Sequence, residues 1–135
     1  MEAARSIEDV FRLDSETDRF WCAREVRRFA RELGFAEIAQ WELAIVVAEL
    51  VTNAVRYGGS GTLTLRTTPG PRAGIELVVA DPGAAPTASA GPANATPRHG
   101  LGLGLRTVRC LSHEVSVERD EHGGTIVTAA RYLEP

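Results

Sequence analysis

The chain has 135 residues, 44% of them hydrophobic and 24% charged, which suits one folded domain with a real core. Its fifteen Lys+Arg residues are all arginine, set against eighteen Asp+Glu for a net charge of −3. Without a lysine there is no Walker A loop, no protein kinase of the type that sets a strand lysine on the phosphates, and no Schiff-base chemistry. The acidic balance argues against a nucleic-acid partner.

No uninterrupted apolar run reaches the roughly eighteen residues of a membrane span. Met1 to Leu13 mixes Glu, Arg and Asp, unlike an export leader, so a cytoplasmic protein without membrane contact is expected. Cys22 and Cys110 are too few and too far apart for a disulfide scaffold or zinc site and are expected as reduced core thiols.

In chain order, residues 1–16 predict an edge strand. From Asp18 to Leu33, Trp21, Cys22, Val26, Phe29, Ala30 and Leu33 recur at helical spacing, with Asp14, Ser15 and Thr17 as candidate caps and Gly34 as the stop. A longer helix is predicted from about Glu37 to Tyr57, ending at Gly58-Gly59. Thr62 to Thr67 alternates as a strand, Pro69-Gly70-Pro71 turns, and Ile75 to Ala80 reads as a short buried strand. Asp81 to Gly104 has no periodicity and is rich in Gly, Pro and Ala; a segment of this kind inside a domain is usually functional. A third helix is expected over roughly Leu103 to Leu111. Val115 to Glu118 and Thr125 to Ala130 form a final hairpin. The sum is an α/β two-layer sandwich, with helices on one face of a mixed sheet of four or five strands.

Four stretches carry candidate chemistry. In the second helix Glu49 is the only charge between Leu43 and Val55, one turn before Asn53 and on the same face. A carboxylate in so apolar a segment costs free energy unless it is paired or meets a ligand. The pair suits a metal–phosphate site, with the Asn carbonyl on Mg²⁺ and the Glu orienting or deprotonating a hydroxyl. Equally, Glu49 can face solvent while Asn53 packs locally. Asp81, at the end of an apolar strand and before Pro82-Gly83, can accept from an exocyclic amine such as that of adenine, or simply make an Asp-Pro-Gly turn. Gly100, Gly102 and Gly104, spaced before a helix, let backbone N–H groups approach an anion; a dinucleotide-binding reading fails because no strand directly precedes them. Gly123-Gly124-Thr125 opens the last strand, either as part of a site or as a hairpin turn. His113 and His122 have no ligand spacing and read as structural or surface residues.

Taken together and in this order, the pieces resemble the GHKL (Bergerat-fold) ATPases over about Ile7 to Ala130. Within them the chain looks like the small bacterial anti-sigma-factor and switch-protein serine kinases of the RsbW, SpoIIAB and RsbT type. ELVTNAVRYGG (Glu49 to Gly59) matches the family's N box, VADPG (Val79 to Gly83) its first glycine box, GLGLGL (Gly100 to Leu105) its second, and GGT (Gly123 to Thr125) its last motif. AREVRRFARELGF (Ala23 to Phe35) and RTVRCLSHEVSV (Arg106 to Val117) look most like the RsbT branch.

The resemblance implies a single ATP-binding domain over residues 1–135 with a Gly/Pro/Ala-rich lid at about 84–99. It implies phosphoryl transfer from Mg-ATP to a Ser or Thr of a STAS-domain partner, an anti-anti-sigma or stressosome protein. Sigma factors, PP2C-type phosphatases and a homodimer are further expected partners. By position, Glu49 would be the catalytic base and Asn53 the Mg²⁺ ligand. Asp81, Gly83 and Thr125 would bind the adenine end. Gly100, Leu101, Gly102, Leu103 and Gly104 would bind ATP through the backbone. Arg98, His99 and Arg106 are lid and phosphate candidates. Arg24 would face the protein partner, or be an ordinary solvated helix charge. The family's first glycine box usually reads Asp-x-Gly-x-Gly; here Ala85 takes the second glycine's place and Pro86 follows, a departure that bears on nucleotide affinity and lid closure. Besides the kinase, an anti-sigma factor that sequesters a sigma subunit and a degenerate ATP-binding scaffold are alternative readings.

Overall fold

A computed structural model of the chain describes residues 7–83 and 104–134. The elements are β1 (Glu8–Leu13), α1 (Asp18–Leu33), α2 (Glu37–Gly58), β2 (Gly61–Thr67), β3 (Gly74–Asp81), a helix α3 described over 104–110, β4 (Glu114–Arg119) and β5 (Thr125–Tyr132). Each predicted element is present, with boundaries within two residues of expectation wherever the chain is described, except that the edge strand expected over residues 1–16 is confined to Glu8–Leu13 among the described residues.

The start of α1 differs in its chemistry. Thr17 takes the N-cap position but makes no side-chain capping bond. Asp18 turns its carboxylate back instead: Oδ2 accepts from the N–H of Asp14 at 2.8 Å and of Ser15 at 3.1 Å, and Oδ1 accepts from Trp21 Nε1 at 2.9 Å. The Asp14 N–H and the Trp21 donor hold the Asp18 carboxyl below its ordinary value. Trp21 in turn meets Phe11 edge to face, with centroids 5.2 Å apart, and so ties α1 to β1. At the other end Gly34, with φ 98°, closes α1: its N–H donates to Arg31 O and the Phe35 N–H to Ala30 O, leaving Phe35 buried as the following apolar plug. Buried Gln40 donates from Nε2 to Phe35 O at 2.9 Å, fixing the tight turn into α2.

The strand order is β1-β2-β3-β5-β4, and every neighbouring pair is antiparallel. The two-layer α/β sandwich stands, but the sheet is not mixed. One crossover helix between neighbouring strands would make them parallel. Here two helices in succession separate β1 from β2, which reverses the direction. β4 does run parallel to β3, but β5 folds back from β4 and inserts between them.

One face of the sheet is buried. Leu63 and Leu65 of β2, Ile75, Leu77 and Val79 of β3, and Val127 and Ala129 of β5 meet Val26, Phe29 and Ala30 of α1, Leu43, Val46, Val47, Leu50, Val51 and Ala54 of α2, and Val108 of α3. The strand at Ile75 to Ala80 is therefore buried on one side only; Glu76, Val78 and Ala80 lie half-exposed on the other. α2 is long and apolar enough to cross a membrane, with mean hydropathy 1.4, contrary to the sequence expectation that no segment is. One face of that helix packs on the sheet and α1, while Ile38, Trp41 and Ile45 lie exposed on the other. Cys22 is buried, and burial pushes its thiol up to about 12, so it stays protonated and inert. Cys110, expected in the core, is exposed. It precedes Leu111 on the short α3, which turns only one strip, Gly104 and Val108, fully inward.

Arg131 of β5 joins the layers. Its Nη1 lies 2.7 Å from Glu42 Oε1 of α2 and donates at 3.0 Å to Leu111 O, just past α3. Leu77, central in the sheet and fully buried, should lose about 2–5 kcal/mol on replacement by Ala, read as a lower urea midpoint; an unchanged midpoint would contradict the packing described.

Candidate nucleotide site

α2 carries two polar groups on the side toward α3. Glu49 and Asn53 stand one turn apart and are both half-buried. α3 begins its described course directly above them. A Cβ built on Gly104 would lie 2.9 Å from Asn53 Nδ2 and 2.9 Å from Glu49 Oε1. No larger residue fits there without displacing one of the pair. Asn53 Nδ2 is buried and has no hydrogen-bond partner among the described residues. An amide left so costs about 1–3 kcal/mol, an outlay expected where a ligand completes the arrangement. The structure thus brings together three residues that are 4 and 51 positions apart in sequence.

The second half of the site is built around Asp81, at the end of β3 and roughly 7 Å further along the α2 axis, at the level of Gly58. Asp81 Oδ1 accepts from the Gly83 N–H at 2.8 Å, and the Thr125 N–H also donates to the carboxylate. Burial raises the Asp81 carboxyl above its ordinary value of 3.8; those two N–H donors and Arg119 oppose the shift, and Asp120 adds to it. The sheet register sets Asp81, Thr125 and Arg119 in one row across β3, β5 and β4. The β4–β5 turn is held by Asp120, whose Oδ1 accepts from the N–H of His122 and of Gly124, each at 2.8 Å.

Two glycine pairs frame Asp81, and each divides its labour in the same way. Gly59 has φ 85° and Gly123 φ 89°, conformations that a side chain would strain, and both have open space around them. Their partners have no positive φ but are pressed against Asp81. A Cβ on Gly58 would lie 2.5 Å from Asp81 Oδ1, and one on Gly124 would collide with the Asp81 carbonyl oxygen. From the sequence alone Gly58 is only part of a helix stop and Gly124 only part of a turn. The signal that could have found them is the doubling, since one glycine suffices to end a helix or turn a hairpin.

Of the other expected site residues, Gly83 has φ 89° and packs its backbone on Gly123. Arg106 is exposed on α3, and Arg24 is exposed on α1 with no ion pair among the described residues. Arg98, His99, Gly100, Leu101, Gly102 and Leu103, together with Ala85 and the lid at about 84–99, lie outside the described residues. His113 has a structural place: its Nδ1 accepts from the Tyr132 N–H at 3.0 Å and its ring stacks on Tyr132. His122 sits exposed in the β4–β5 turn. A separate open cavity of about 600 Å³ lies on the sheet face away from the helices, lined by Val10, Arg12, Thr62 and Ala80 among others. It reaches Asp81 from behind but contains neither Glu49 nor Asn53 nor Gly104, which converge on the helix side.

The chain matches the family model of the histidine kinase-like ATPase domain over residues 21–131. It belongs to that family, and the matched span contains Glu49, Asn53, Asp81, Gly83, Gly104 and Thr125. ATP is the nucleotide that membership brings with it. A comparison with curated proteins finds no match to the chain.

Two expectations follow. A carboxyl raised by burial binds its proton more tightly in the folded chain, so its ionisation costs stability as pH rises through the interval just above 3.8. Asp81→Asn abolishes that loss, so the variant should gain on the wild type as pH is raised from about 3.5 to 7 in urea titrations; parallel pH profiles would contradict a desolvated carboxylate. Gly58→Ala, which forces a methyl onto Asp81, should cost about 1–3 kcal/mol by the same measurement, and no loss would mean that the close approach is absent.

Proposed function

We propose that the protein is an ATP-dependent serine/threonine-protein kinase of the anti-sigma and switch-protein kind. On this reading it phosphorylates a STAS-domain partner in the cytoplasm and so controls a sigma factor, or a PP2C-type phosphatase, in stress signalling. The observation that carries the proposal is the convergence of Glu49, Asn53 and the bare Gly104. A carboxylate and a ligating amide share one helix face, under a backbone with no side chain between it and them.

The residues present fit Mg-ATP. The side-chain oxygen of Asn53 would supply a metal ligand and its unpartnered Nδ2 a donor to a phosphate oxygen, the bare Gly104 lets the α3 backbone come close to both Glu49 and Asn53, and Asp81 offers a half-buried acceptor for the adenine amine. Gly58 and Gly124 keep that acceptor in place, and the Thr125 N–H orients it. Mg²⁺, when bound, neutralises phosphate charge. Glu49, half-buried one turn before Asn53, accepts the proton of the partner's Ser or Thr hydroxyl as that oxygen bonds to the γ-phosphorus and the bond to the β-phosphate oxygen breaks. No lysine is needed in this arrangement. Arg106, two residues beyond Gly104 and exposed on α3, is the described one of the three cationic candidates for the phosphates, Arg98 and His99 being the others.

The test has two parts. Mg-ATP should raise the melting temperature of the wild type, since a ligand bound only by the folded state stabilises it by about 2.7 kcal/mol at a hundredfold excess over Kd; Asp81→Asn should lose the rise. Glu49→Gln should keep the rise yet transfer labelled phosphate to a STAS protein from the same genome at least about a hundredfold more slowly. Absence of the thermal response in the wild type would overturn ATP use. A pull-down that recovers a sigma factor with no phosphorylated partner would favour sequestration over catalysis.

A further inference from the structure

The outer face of the α1–α2 layer is unlike an ordinary solvated helix face. Ile38, Trp41 and Ile45 of α2, spaced three and four residues apart, are 72%, 50% and 45% exposed. That spacing forms one stripe on the side opposite Leu43, Val47 and Leu50. Beside it runs an arginine row on α1, Arg24, Arg27 and Arg31, at the same helical spacing, with exposed Phe20 at its start. The two rows touch: the Arg27 guanidinium lies 3.6 Å from the centroid of the Trp41 ring. Arg28, next to that row on α1, is neutralised by Glu25 at 2.7 Å and Glu32 at 3.5 Å. Arg24, Arg27 and Arg31 have no ion pair among the described residues, and Arg27 Nε is buried without an acceptor. Glu42, which could have served them, is turned to Arg131.

We propose that this face docks an amphipathic helix of a partner protein, its apolar side on Ile38, Trp41 and Ile45 and its acidic flank along Arg24, Arg27 and Arg31. Charge complementarity selects this occupant. A second copy of the chain, meeting the face by a two-fold axis, would bring the same three unpaired arginines, with acids only at the two ends of the stripe, Glu37 and Glu49, and none along the arginine row. An anionic membrane would gain from cations on only one side of the stripe and would be repelled by Glu37 and Glu49, which stand at its two ends. The stripe also has a direction. Ile45 lies one helical turn before Glu49, so a helix seated on it reaches the carboxylate assigned above as proton acceptor. That last step rests on the kinase reading; the docking itself does not.

The test uses a labelled 18-residue helical peptide with leucines at i, i+3, i+4 and i+7 and glutamates on its flanks, beside a twin carrying lysine for glutamate. The acidic peptide should bind in fluorescence anisotropy, and binding should weaken severalfold as salt shortens the Debye length from about 14 to 6 Å. Trp41→Ala and Arg27→Glu should each weaken it at least about tenfold, as expected for an aromatic anchor and its charge. Val10→Ser, on the opposite face of the sheet, should change nothing. Mg-ATP thermal shifts run on the same variants should be unaltered, which separates failure of docking from failure of ATP binding. Equal binding of both peptides, undiminished binding by the two variants, binding to anionic vesicles in place of the peptide, or a dimer abolished by Trp41→Ala would each overturn the proposal.

Discussion

The burial of one face of α2 against the antiparallel sheet sets the place of everything else. Leu43, Val46, Val47, Leu50, Val51 and Ala54 are all but removed from solvent, and full burial of each larger side chain is worth about 1.5–3 kcal/mol. A helix anchored by so continuous an apolar face has no freedom to rotate. Its other residues therefore point in fixed directions: Glu49 and Asn53 toward α3, Ile38, Trp41 and Ile45 outward, and Gly58 onto Asp81. The candidate site and the candidate docking face are two consequences of one packing arrangement. Arg131 extends it by holding the end of α3 to Glu42 of the same helix.

The electrostatics follow from the same geometry. Asp81 is drawn inward until burial outweighs its N–H donors and raises its carboxyl. Asn53 is left with a buried amide nitrogen that nothing described satisfies. Natural cores rarely tolerate either feature for stability alone. Both lie in the span that matches the histidine kinase-like ATPase domain. The absence of lysine excludes nucleotide chemistries built on that side chain, yet leaves open one built on a ligating amide, a half-buried carboxylate and a backbone bare of side chain.

Much of this was legible in the sequence because it rests on local pattern. The 3.6-residue recurrence of α1 and α2, the alternation of β2 and the spacing of Glu49 to Asn53 need no tertiary information. What was not legible depends on contacts between distant segments. The sheet reads as mixed until the order of its neighbours is known, because β5 takes its place between β3 and β4 after both have formed in chain order. Of the expected caps, Ser15 accepts from the Thr17 N–H and Thr17 caps nothing, while Asp18 reaches back to the Asp14 and Ser15 N–H groups and is held by Trp21, a contact that the local pattern does not give. Cys110 has the composition of a core residue but falls on the outer side of a short helix. The roles of Gly58 and Gly124 appear only once Asp81 is seen pressed between them. The uncompensated arginines of α1 look like any charged helix until Arg28 is found paired and its neighbours not.

The central claim is that α2, β3 and the start of α3 form one nucleotide site on the helix side of the sheet. A crystal structure with a non-hydrolysable ATP analogue and Mg²⁺ tests it most directly. The account predicts the adenine amine within hydrogen-bonding reach of Asp81, the metal on Asn53 and the phosphates beside Gly104. Nucleotide found instead in the open cavity lined by Val10, Arg12 and Thr62, or with its metal away from Asn53, would contradict it.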